Sequence, residues 1–108
     1  MKTVKFTTWE RIQLTQCVPP QDSVHEVRKH LRVLRILELT PEERKKVGWV
    51  MTTDGAISWQ DTRHEFELEF EDADFEHLCK LIDKREAWPT MPETAALLDK
   101  IDSVKEDK

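Results

Sequence analysis

Residues 64–76 read HEFELEFEDADFE. Phe66, Leu68 and Phe70 alternate with Glu65, Glu67, Glu69 and Glu71, and Asp72, Asp74 and Glu76 follow. An apolar/charged period of two turns one strand face to a core and the other to water. Positions 65–76 hold seven carboxylates in twelve residues, with no Lys or Arg among them. Like charges on one strand face repel. The row is therefore either a well-solvated face or a surface that something cationic binds. After Glu71 the period lengthens. Phe75, Leu78, Cys79 and Ile82 fall at helical spacing, and the early acids suit the positive end of a helix at about 73–88.

Upstream, Trp49 and Met51, then Thr52-Thr53-Asp54-Gly55, then Ile57 and Trp59 read as two short strands around an Asp-Gly turn. The expected sheet is a small three-stranded antiparallel meander at about 48–71, with Arg63 to Glu71 as its third strand. Trp49 and Trp59 are expected to be cross-strand neighbours. Three helix starts precede it. Thr7 with Glu10 has capping-box spacing, Ser23 with Glu26 repeats it, and Thr40-Pro41-Glu42-Glu43 adds Pro at the first helical position.

These signals predict helices at about 8–17, 24–39 and 41–47. Trp9, Ile12, Gln16 and Cys17 are expected inward on the first. Val24, Val27, Leu31, Leu34 and Leu37 form the expected stripe of the second. Pro19-Pro20 and Gly48 are stops, and Met1 to Phe6 is a short strand or a loose arm. Pro89 and Pro92 break the chain before a last helix at about 93–104, carrying Leu97, Leu98 and Ile101. Residues 105–108 read as a frayed tail. The fold class expected is α+β, a three-stranded meander packed against about five helices. One domain suits 108 residues, with a core over about 6–104 that holds Trp49 or Trp59 with Phe66, Leu68 and Phe70.

Charged residues make up 36% of the chain and apolar ones 38%, and four Trp and four Phe supply large burial, which points to a folded protein. The net charge of −5 conceals an asymmetry: ten Lys/Arg face six Asp/Glu over residues 1–50, and seven face sixteen over 51–108. Overall acidity argues against a dedicated nucleic-acid binder, so nucleic acid is an unlikely partner. The start MKTVKFTTWER has no apolar signal core, and no run approaches the roughly 20 apolar residues of a membrane span. Cytoplasm without membrane attachment is the expectation. Cys17 and Cys79 stand in no CxxC motif; reduced buried thiols are expected, although spacing leaves a disulfide open.

Catalytic motifs are absent. No GxxxxGK[ST], GxGxxG or GxSxG occurs, and two glycines build no phosphate cradle. Ser23, Ser58 and Ser103 lie in no nucleophile motif. His25 and His30 are five apart and His77 and Cys79 two apart, neither a zinc spacing. No metal, cofactor or small-molecule substrate is expected, and no enzymatic activity.

FTTWERIQL, LELTPEERKKVGW, DGAISW and FELEFEDADFEHLCKLIDK occur in that order over Phe6 to Ile101. The order resembles short proteins of phage and prophage genomes, in which a Leu-Thr-x-Glu-Glu helix start, a Gly-x-x-x-Trp strand and an acidic lead into a helix recur. The resemblance implies a small accessory protein that acts by binding.

The functional expectation is an interaction module. Glu65, Glu67, Glu69, Glu71, Asp72, Asp74 and Glu76 would dock on a basic protein, or on the positive helix of a second copy. The alternative uses Arg28, Lys29, Arg32, Arg35, Arg44, Lys45 and Lys46. A long helix, a short helix and a hairpin follow one another as in winged-helix nucleic-acid binders. Against it, the short helix is brief for recognition, and Glu42 and Glu43 carry the wrong sign for phosphates.

Overall fold

The computed structural model describes residues 1–106, so residues 107 and 108 of the expected tail lie outside the described part. Strand β1 (Lys2–Thr7) leads directly into α1 (Thr8–Thr15). Helices α2 (Val24–Leu37) and α3 (Pro41–Val47) follow, then a hairpin of β2 (Val50–Met51) and β3 (Ile57–Ser58). Strand β4 (Glu65–Phe70), α4 (Asp72–Lys84) and α5 (Pro92–Glu106) complete the chain. The class is α+β. No helix among the described residues is long and apolar enough to cross a membrane.

The three-stranded meander does not form. β4 pairs antiparallel with β1, with Val4 opposite Leu68, Phe6 opposite Phe66 and Lys5 opposite Glu67, and β2 with β3 makes a separate two-stranded sheet. Length explains the choice. The hairpin strands have two residues each, whereas β1 offers six and matches β4 end to end. Val4 and Phe6 repeat the inward alternation of β4, and Lys5 places a cation opposite Glu67. Of the two readings of Met1 to Phe6, the strand holds, over Lys2–Thr7.

Behind β4 the period-two reading holds: Leu68 and Phe70 are buried and Phe66 is half-buried, while Glu65, Glu67 and Glu69 are exposed. Phe70 meets Phe6 and Phe75 edge-on, at centroid separations of 6.5 and 6.0 Å. Val4, Leu14, Val33, Leu37, Leu78, Leu97 and Ile101 close the core around them.

Local signals mark the helix starts. Thr7 and Glu10 form a reciprocal capping box (2.8 and 3.2 Å), as do Thr40 and Glu43 (2.9 and 3.1 Å). Ser23 caps α2 through the Glu26 amide alone. Gly48 ends α3 with φ +73°, the left-handed conformation that favours glycine. The amides of Gln60 and Asp61 then donate to the Val47 carbonyl and tie the base of the hairpin to the end of α3.

Two helix faces differ from expectation. Val24 and Leu31 on α2 are 73% and 56% exposed, and the inward residues are His30, Val33 and Leu37. On α1, Trp9 and Ile12 are only half-buried, whereas Leu14 and Arg11 are fully buried. Polar residues take inward places in both helices because partners on other elements satisfy them. Trp49 and Trp59 stack at 6.1 Å, yet both lie outside the core cluster, because the hairpin sits beside the main sheet and not within it. Helix α4 stops at Lys84, four residues short of Trp88, as the Arg85 guanidinium turns to the Ala87 carbonyl and covers the Trp88 ring.

Candidate functional site

The acidic row divides into capped and open parts. Lys100 on α5 bonds Glu65 and also reaches Glu10 at 2.7 Å. Burial alone would lower the Lys100 pKa, but the hydrogen bonds it donates to these two carboxylates outweigh it and hold the ammonium above its ordinary value. The N-terminal ammonium lies 3.1 Å from Asp72, and Arg32 Nε lies 3.2 Å from Asp74, which is buried. Among the described residues no ion pair engages Glu67, Glu69, Glu71 or Glu76, and all four are exposed. Glu67 and Glu69 lie on the outer face of the β1–β4 sheet with Thr3 and Lys5, Glu71 follows at its end as the N-cap of α4, and Glu76 lies on α4 beside Lys29 and Arg32. No further strand among the described residues pairs with either edge of that sheet.

The basic group is spread over two helices. Arg28, Lys29, Arg32 and Arg35 are exposed on α2, and Arg44, Lys45 and Lys46 are exposed on α3. Arg32 is committed to Asp74 and Lys29 approaches Glu26 at 3.5 Å. Arg44 lies over the Trp49 ring at 4.9 Å. Among the described residues, the basic helix and the acidic segment therefore meet through one ion pair, Arg32–Asp74, and the strand carboxylates stay clear of it.

A cleft of about 520 Å³ lies between α1, α5 and the segment after β3. Trp9, Trp59 and Met91 wall it, with Lys100 and its two carboxylates along one side.

The structure also assembles a cluster that pairwise spacing of His and Cys missed. His30 is 4% exposed, and its Nδ1 lies 2.9 Å from His77 Nε2 on α4, the two rings stacking at 5.1 Å. His30 Nε2 lies 3.0 Å from an Asp22 carboxylate oxygen. Glu26 stands one turn before His30, so its carboxylate joins the same group, and donor atoms of Glu26, His30 and His77 all lie within 4.8 Å of one another. The local signal was the Glu26–His30 spacing of four on one helix face; the third member comes from packing α4 on α2. Burial, then the neighbouring His30, lower the His77 pKa and favour its neutral ring. The His30 hydrogen bond, then the Ser23 amide, hold the Asp22 carboxyl below its usual value.

Both thiols are free. Burial raises the pKa of Cys17 and of Cys79, so neither is an activated nucleophile. No protein-family model, curated protein or solved structure matches this chain.

Proposed function

We propose that this chain is a small non-enzymatic interaction protein, an accessory protein of the phage and prophage kind, that docks a basic protein surface on the outer face of its β1–β4 sheet. The observation that carries the reading is the open row Glu67, Glu69, Glu71. These carboxylates remain exposed although the same molecule holds many Lys and Arg, while neighbouring Glu65, Asp72 and Asp74 are each engaged by a cation. Engaged acids at both ends support the fold and leave the middle for a partner. Complementary charge of this kind governs encounter rate and partner choice. The unpaired edges of a two-stranded sheet add backbone donors and acceptors beside the row, which suits recognition of an extended basic segment.

The test is affinity purification from the native host with wild type and with Glu67→Gln/Glu69→Gln, followed by mass spectrometry. A basic protein retained by wild type, released by moderate salt and lost from the double variant is the expected result. Equal recovery on both baits removes the reading. The winged-helix alternative rests on the exposed Arg28, Arg35, Lys45 and Lys46, which no described carboxylate pairs. It requires a salt-dependent duplex DNA affinity that falls in Arg28→Gln/Arg35→Gln.

A further inference from the structure

We infer that Glu26, His30 and His77 form a binding site for a divalent transition ion, zinc by preference, with Asp22 as the residue that orients His30. The site is independent of the acidic sheet face, since none of its four residues belongs to that row.

Proton accounting supports it. An ionised carboxylate only accepts hydrogen bonds, so His30 Nε2, 3.0 Å from Asp22, carries the ring proton. In the neutral ring Nδ1 is then a lone pair, and it points at His77 Nε2 2.9 Å away. Without a metal, His77 Nε2–H donates to that lone pair. With a metal, His77 adopts its other tautomer and both lone pairs converge on one point. A carboxylate on the far nitrogen of a ligating imidazole is the usual device that fixes tautomer and ring direction at metal centres.

Distances fit the same reading. Zinc bonds to imidazole are about 2.0–2.1 Å, so two nitrogens on a tetrahedral ion stand about 3.3–3.4 Å apart. The two nitrogens, 2.9 Å apart, need to separate by only a few tenths of an ångström. Glu26 lies within the same 4.8 Å envelope, one helical turn from His30. Its competing contact is the exposed Lys29 at 3.5 Å, a weak hold that rotation of Lys29 into solvent releases. Two imidazoles and one carboxylate make a donor set of intermediate softness. Zinc accepts it and keeps a fourth position, whereas calcium and magnesium require oxygen ligands throughout. Access exists on two sides: a cleft of about 290 Å³ with Cys17 and Asp22 reaches His30, and another of similar volume with Lys29 and Asp74 reaches His77.

An ion here joins α2 to α4 where His30 and His77 share a hydrogen bond between rings, beside the Arg32–Asp74 ion pair. The experiment is calorimetric titration of the full chain with zinc chloride, with cobalt(II) absorption as a second reporter of coordination geometry. Expected results are one ion per chain, a tetrahedral cobalt spectrum and a melting temperature raised by about 10 °C at a hundredfold excess of zinc over Kd. His77→Gln and Glu26→Gln each weaken binding at least about tenfold, and Asp22→Asn weakens it about tenfold to a hundredfold. His25→Gln and His64→Gln leave it unchanged. Far-UV circular dichroism verifies that each variant is folded, and Glu26→Gln serves alone where His77→Gln is not. Absence of zinc binding at millimolar concentration overturns the proposal. So does affinity that survives in Glu26→Gln and His77→Gln, or that disappears in His25→Gln or His64→Gln.

Discussion

Arg11 Nη1 donates to Glu43 Oε2 at 2.9 Å, and the rest of that guanidinium closes the C-terminal end of α2. Nε donates to the Leu37 carbonyl at 2.8 Å and Nη2 to the Glu38 carbonyl at 2.7 Å. A helix end leaves carbonyls without intrahelical partners, and a planar cation with five donors serves several at once. Arg11 is 1% exposed, so no water replaces it.

Arg11→Met is therefore expected to destabilise the fold by about 3–5 kcal/mol, because it strands the α2 carbonyls and leaves Glu43 unpaired. Arg11→Lys recovers only part of this, since an ammonium cannot span the same acceptors. Urea midpoints of the two variants against wild type check the prediction.

Glu43 sets the acid side of the same cluster. Burial alone would raise its pKa, but hydrogen bonds from Arg11 and from the Thr40 amide outweigh that and hold it below its ordinary value of 4.5. A depressed folded pKa means the unfolded chain takes up the proton first. The contribution is fully present above 4.5 and is lost as pH falls through the lower folded value. Glu43→Gln keeps an acceptor for the Thr40 amide and removes only the charge. Its deficit, about 1 kcal/mol at neutral pH for a partly solvated pair, should shrink on acidification until wild type and variant unfold together. A pH series of urea denaturations reads this out.

Much of the fold was legible because local chemistry decided it. Thr7/Glu10 and Thr40/Glu43 specify helix starts through contacts three residues apart, and Gly48 specifies a stop through its own φ. The inward faces of α1 and α2 were not legible, because Arg11 and His30 are buried only where α2, α3 and α4 supply partners. Apolar periodicity cannot register a polar residue satisfied across the chain. The partner of β4 was misread for a related reason: adjacency favoured the hairpin, whereas matched length and alternation favoured β1, far away in sequence. Of the candidate acidic site, the exposure of Glu67 and Glu69 followed from the period of two. The engagement of Glu65 by Lys100 depended on where α5 packs.

Gly48→Ala tests the turn that places the hairpin. At φ +73° a side chain is strained, and a Cβ there would stand 3.1 Å from Gln60 Cβ. A loss of about 1–2 kcal/mol is expected in thermal unfolding. Gln60→Ala shortens the side chain that Cβ meets without changing the backbone angle. Gly48→Ala/Gln60→Ala should therefore recover a minor share of the loss.

Register makes the acidic row testable residue by residue. Glu67 faces Lys5, so Glu67→Lys sets two cations directly opposite and should cost up to about 1 kcal/mol. Glu69 faces Thr3 and has Glu67 and Glu71 on either side along the strand. Glu69→Lys relieves repulsion there and should be neutral or stabilising by a few tenths of a kcal/mol. Phe70→Ala, one residue further and fully buried, should cost about 3–5 kcal/mol. Urea midpoints for the three variants give the comparison. A stability gain at Glu69→Lys means that carboxylate is held against the preference of the folded chain, which is the behaviour of a residue kept for a partner. A loss comparable to that of Glu67→Lys would make Glu69 a structural contributor and remove it from the docking surface.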